Sequence, residues 1–196
     1  VAVAVIKLLG LVEFRELWRQ SRFEFMIGIA CFAGVLVVGP IGGLGIAFLL
    51  SLINIARRAA TPTVDILVGH DDPTLSLLGS RVSARQTSPG LLVLRFAAPI
   101  FFANGAVLAD RITSAVENAP TRIRAVVLDM EAVTDIDVTG SEAVDGVKAW
   151  LAQRGIALVY TRVRPELRSR LDRFGLLTGT SEFPTNREAA AALNRP

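Results

Sequence analysis

A chain of 196 residues with 52% hydrophobic residues and a mean hydropathy of +0.48 is unusually apolar for a soluble protein. Its net charge of +3 does not point to nucleic acid. The arginines gather at the ends of apolar stretches (Arg15, Arg19, Arg22, Arg57, Arg58) and along one late segment (Arg164, Arg168, Arg170, Arg173), with no aromatic-interleaved basic patch.

In chain order, "VAVAVIKLLGL" is too short to cross a bilayer and carries Lys7, so it reads as the end of an earlier span. The chain begins at valine, which suggests a fragment or a processed product. The next stretch, "EFRELWRQSRFEF", places Phe14, Trp18 and Phe25 where interfacial anchors sit; charges between the apolar runs argue against a signal peptide. Residues 23–38 and 41–56 follow, about sixteen apolar residues each. At ~1.5 Å per residue each helix would reach only ~24 Å, short of the ~30 Å hydrocarbon core. Between them "VGPIGGLG" predicts a broken helix pair, because Pro removes a donor and Gly relaxes the backbone. Such a pair needs other protein around it, so the expected surroundings are the lipid bilayer and further membrane segments. Arginines flank both outer ends, which puts both in the cytoplasm. Cys31 is the single cysteine, so disulfides have no role, in keeping with a reducing compartment.

Residues 1–60 are thus the membrane segment, and residues 61–196, with a linker over 61–90, a globular domain. Thr61-Pro62 ends the last apolar helix and "TVDILVG" reads as a strand. His70-Asp71-Asp72 before Pro73 suits a polar turn better than a metal site. From Leu91 the pattern is regular: "LLVLRFAA" as a strand, "IFFA" as a short one, then a helix capped by Asn104 and running to about Asn118. After Pro120 come strand "RAVVLDM", helix "SEAVDGVKAWLAQRG", strand "IALVYTRV", a helix over 166–174 after Pro165, and a last helix in "NREAAAALNRP". Strands alternating with helices predict an α/β domain with a mainly parallel sheet and flanking helices.

One junction carries chemistry. In "AVVLDMEAVTDIDVTGSEAVDGV" a buried strand meets a helix across Asp129, Glu131, Asp135 and Asp137, followed by Thr139 and Gly140. Helix starts after strands offer free amides and a positive dipole. Thr139 as helix cap, with Glu142 completing a capping box, explains the threonine structurally. Alternatively Thr139 is a phosphoacceptor, its added dianion held by the amides and repelled by Asp135 and Asp137. Magnesium held by the four carboxylates is a weaker reading. No Ser-His-Asp set, metal-ligand spacing or phosphate loop with lysine is present, so neither an enzyme nor a cofactor is expected.

"VVLDMEAVTDIDVTG" resembles the signature of the STAS domain, shared by anti-sigma-factor antagonists and the cytoplasmic tails of SulP-type anion transporters. In that family an Asp-x-Ser/Thr-Gly motif closes the loop, and the residue before the glycine is the antagonists' phosphoacceptor. Carried over, Asp137 matches the aspartate, Thr139 the acceptor and Gly140 the glycine; Val138 stands where antagonists usually have serine. "LRFAAPIFFANGAVLADRI" resembles the opening of SulP-type STAS domains, "GLVEFRELWRQSRFEF" the loop before the penultimate membrane helix of these transporters, and "GPIGGLGIAFLLSLINIARRA" the last helix leaving the membrane. The resemblance implies the gate and STAS end of a secondary sulfate transporter in the plasma (inner) membrane, with a cytoplasmic STAS domain. It implies a homodimer and a cytoplasmic protein partner or kinase. It also implies that the anion-binding half-helices lie outside these residues, so that this chain alone does not transport. The alternative is a membrane-tethered STAS switch working through Thr139.

Overall fold

The computed structural model describes residues 16, 18, 19, 21–69, 73–75 and 86–194. The opening "VAVAVIKLLGL", Phe14, Arg15 and the His70-Asp71-Asp72 turn lie outside the described residues. The chain divides into two compact units, Val1–Arg58 and Ala59–Pro196.

In the first unit, Ser21 caps α1 (Arg22–Val38), its hydroxyl oxygen accepting from the Glu24 amide at 3.3 Å. Gly39, at φ 89°, ends it, and Pro40 opens α2 (Pro40–Ala60), where a missing amide proton costs nothing. The break is therefore one residue wide, not the whole glycine cluster that the sequence suggested. Gly42, Gly43 and Gly45 lie inside α2. The reason is packing: a Cβ on Gly43 would stand 2.8 Å from the Val35 Cα, and one on Gly34 would stand 3.6 Å from the Gly43 Cα. The glycines let two backbones approach. With 21 residues, α2 reaches ~31 Å, longer than the sixteen-residue run implied, and it is long and apolar enough to cross a membrane. The outer helix ends meet, with Arg58 paired to Glu24 and the Arg57 guanidinium 4.8 Å from the Phe23 ring centre. Trp18 packs edge-on against Phe25 at 4.7 Å.

The second unit is built on a five-stranded sheet in the order β1 (Val64–Ile66), β2 (Leu91–Phe96), β3 (Ala125–Asp129), β4 (Ala157–Thr161), β5 (Ser181–Phe183). β1 runs antiparallel to β2; the other neighbours are parallel. Helices α3 (Gly105–Glu117), α4 (Val138–Gln153) and α5 (Pro165–Arg173) supply the crossovers, and α6 (Asn186–Leu193) closes the domain. Side-chain alternation splits the core. Leu92, Leu94, Phe96, Val126, Leu128 and Tyr160 share one cluster with Leu108, Ile112, Val144, Leu151, Leu167 and Leu171. Leu91, Val93, Val127 and Val159 form the other with Ala189 and Ala190 of α6. All five residues of β3 are buried, as a central parallel strand requires. This is the mixed, mainly parallel α/β sheet that the alternation predicts. Two local expectations fail. "IFFA" forms no strand, since only Ile100 makes a bridge, to Ile136, before the chain turns. Ser181–Phe183, three residues long and at most half-buried, is a strand that no apolar run announced.

Candidate functional site

The junction after β3 is one of two loops knitted together. The Ile100 amide donates to the Asp135 carbonyl at 2.9 Å and the Asp137 amide to the Ile100 carbonyl at 3.1 Å. Asp137, not Thr139, is the N-cap of α4: its Oδ1 accepts from the Gly140 amide at 2.6 Å and its Oδ2 from the Phe102 amide at 3.0 Å. The capping box expected of Thr139 and Glu142 is absent for a simple reason. The helix begins at Val138, so Thr139 is its second residue and is exposed, with no backbone group to cap. Gly140 is buried where a Cβ would lie 2.7 Å from the Ile100 carbonyl oxygen, so close approach of the two loops demands glycine. Two apolar side chains of these joined loops are exposed, Val138 by 60% and Phe102 by 73%.

Asn104 has a different role from the cap expected. Fully buried, it makes no side-chain bond to α3; its Oδ1 accepts from the Phe101 amide at 2.9 Å and its Nδ2 donates to the Pro99 carbonyl at 2.9 Å. It also donates to the Ala59 carbonyl at 3.3 Å.

The four carboxylates of the junction do not converge. Asp129, fully buried at the end of β3, accepts from Arg95 Nε at 3.0 Å, from Arg162 Nε at 3.1 Å, from Asn186 Nδ2 at 3.1 Å and from the Glu131 amide at 3.1 Å. Glu131 pairs with the same arginines at 3.4 and 2.8 Å. Asp135 pairs with Arg170 at 2.6 Å, while Asp137 serves amides. The magnesium reading fails on this geometry, and among the described residues no group of three or more His, Cys, Asp or Glu fits a metal. Burial pushes the Asp129 carboxyl up, but Arg162, Asn186 and the Glu131 amide outweigh it, and the group lies below the ordinary carboxylate range. Asp129 thus belongs to an ion-pair hub apart from the hydrogen bonds that hold Asp135, Asp137 and Gly140. Sequence reasoning missed the hub's cations: nothing local links Arg95 to Arg162, and only the register of Arg95 opposite Asp129 brings the first pair together. Arg162 adopts φ 54°, a left-handed conformation held by these contacts.

The fold and this loop define an α/β domain whose best-formed feature is a glycine-tight, aspartate-capped strand-to-helix junction. The STAS domain family matches residues 83–189, more than half of the chain, and the chain belongs to that family. It is 33% identical, over its whole length, to a probable sulfate transporter of Mycobacterium tuberculosis, of which it covers 35%. It is 32% identical to the probable sulfate transporter 3.4 of Arabidopsis thaliana, with 81% of the chain covering 26% of that protein. The chain therefore spans about a third or less of the length of these curated relatives. Among solved structures, the murine anion transporter Slc26a9 in its inward-facing state matches 94% of the chain with a TM-score of 0.78, at 16% identity and covering 31% of that protein. That likeness is one of fold.

Proposed function

We propose that this chain is the gate and regulatory STAS portion of a SulP-type secondary anion transporter whose anion is sulfate, placed in the plasma (inner) membrane with its STAS domain in the cytoplasm. The observation that carries the reading is the unbroken similarity, through apolar helices and STAS domain alike, to proteins named as sulfate transporters. The anion is bound by half-helices outside these residues, so the chain acts by gating and by regulation. The lipid bilayer, the remaining transporter segments and a second copy of the transporter are its partners. Within the STAS domain the regulatory loop is Asp135, Asp137, Thr139 and Gly140, with Thr139 as phosphoacceptor for a cytoplasmic kinase. Exposure of Thr139 in the first turn of α4 supports this, since the hydroxyl is free of capping duty and the positive end of the helix dipole offsets the repulsion from Asp137, whose carboxylate already holds the Gly140 amide.

Radiolabelled sulfate uptake into proteoliposomes tests the reading, comparing this chain with a version completed by the remaining segments of a close full-length relative. Uptake by the completed protein only is expected. Uptake by the chain alone would overturn the placement of the anion site elsewhere, and silence in both would overturn sulfate as the anion. For Thr139, mass spectrometry of protein from native cells should find an added ~80 Da, the mass of one phosphoryl group, on its peptide; absence under sulfate limitation would leave the loop without that role.

A further inference from the structure

The last two residues of α2, Ala59 and Ala60, belong to the second unit, and there a run of hydrogen bonds starts from the carbonyl end of the helix. The final carbonyls of a helix have no intrahelical donor. Asn104 supplies one, donating Nδ2 to the Ala59 carbonyl at 3.3 Å. The same amide donates to the Pro99 carbonyl and accepts from the Phe101 amide, both at 2.9 Å, so three bonds fix a fully buried side chain. The next amide along, that of Phe102, donates to Asp137 at 3.0 Å, and the other oxygen of Asp137 caps the helix that displays Thr139. Ile100, in the same segment, exchanges two backbone bonds with Asp135 and Asp137. A shift of the Asp137 loop therefore displaces residues 99–102, and these cannot move without moving the Asn104 amide.

We infer that Asn104 is a positioning residue that couples the Asp137–Thr139 loop to the carbonyl end of α2, so that a change at the loop loosens or tightens the end of that helix. The inference gives a route for the regulation proposed above and rests on that reading for its purpose, but not for its test. A residue that merely shaped its own turn would hold Phe101 and Pro99 and leave the helix end indifferent to Asp137.

Hydrogen–deuterium exchange of the full chain in lipid nanodiscs, with no sulfate and no kinase present, reads the coupling directly. Asn104→Asp keeps an acceptor for the Phe101 amide but removes both donors; Asn104→Ala removes all three bonds. Either should speed exchange over residues 57–63 about fivefold, the factor expected for one lost hydrogen bond. Asp137→Ala should do the same from the far end, and combining it with Asn104→Ala should add nothing further, the non-additivity of groups in one network. Unchanged exchange at 57–63 in the Asn104 variants, or full additivity in the double variant, would overturn the inference. Protection of β3 and β4 reports folding. If an Asn104 variant loses it, Asp137→Ala alone decides, since faster exchange at 57–63 supports the coupling and unchanged exchange overturns it. A chain that fails to carry sulfate can still pass or fail this test.

Discussion

Asp129 is buried among two guanidiniums, a carboxamide and a backbone amide, so its charge is worth more folded than unfolded. Its folded pKa is depressed below the unfolded value of ~3.9. The sign follows: the stabilisation is fully present above the unfolded pKa and is lost as pH falls through the folded one. Thermal melts of the sheet signal should be flat in this respect from pH 7 to about 5 and fall below about pH 4. Asp129→Asn should cost about 3 kcal/mol at neutral pH, since it leaves partly buried Arg95 and Arg162 with the half-exposed Glu131 as their remaining countercharge, and should shrink the acid limb. Tyr160, the single tyrosine, is the opposite case. Among the described residues its buried hydroxyl has no hydrogen-bond partner, and burial, with Asp145 and Glu182, pushes its pKa up. Tyr160→Phe removes an unsatisfied group without changing the packing. It should leave stability unchanged or raise it by up to about 1 kcal/mol, read as an equal or higher melting temperature.

At the level of elements, the start of α4 separates the role of Asp137 from that of its neighbour. Asp137→Ala removes the cap and the tie to Phe102, and should destabilise the domain by about 1 to 2 kcal/mol. Thr139→Ala should stay within about 0.5 kcal/mol of wild type. Equal losses in the two variants, measured by thermal unfolding of the full chain, would mean that Thr139 carries structure after all. The long elements were legible beforehand because their apolar periods outweigh local detail: "LLVLRF", "AVVLD" and "ALVYT" have one way to be buried. What escaped was decided by contacts distant in sequence. "IFFA" has strand-like residues, yet Asn104 and Asp137 pin it as a turn. β5 is polar and short, and pairs only because β4 presents an edge. Asp137 won the cap from Thr139 because its two oxygens serve two loops at once, and a capping pattern read from one segment cannot count the second. Asn104 occupied the position predicted for it while bonding to other groups. The hub of Asp129 lay half in view: its carboxylate stood at the strand end, while its cations came from β2 and from beyond β4.

For the whole molecule, the helical hairpin and the STAS domain make separate demands on a membrane. The hairpin's outer ends meet at Glu24 and Arg58, and its turn at Gly39 lies between long runs of exposed apolar residues such as Val37, Val38 and Ile41. Exposed apolar surface on this scale needs lipid or other protein. On the reading proposed above, the positive-inside rule applied to Arg19 and Arg22 before the hairpin and to Arg57 and Arg58 after it predicts that both outer ends face the cytoplasm and that Gly39 faces the other side. In a Cys31→Ser background of the completed transporter, Val38→Cys should react with a membrane-impermeant thiol reagent added to intact cells. Asp172→Cys, on exposed α5, should react only after the membrane is opened. Labelling of both from outside would reject the orientation, while labelling of neither, even after opening, would mean that other protein covers both positions. Gly43→Val asks whether the hairpin itself is needed: its new side chain would strike Val35 and force α1 from α2. Because overpacking of this kind costs about 1–3 kcal/mol, sulfate uptake by the completed protein should fall several-fold while the STAS domain keeps its melting temperature. If uptake survives, the close approach of Gly34 and Gly43 is a matter of packing alone, and the gate role proposed for this hairpin loses its support.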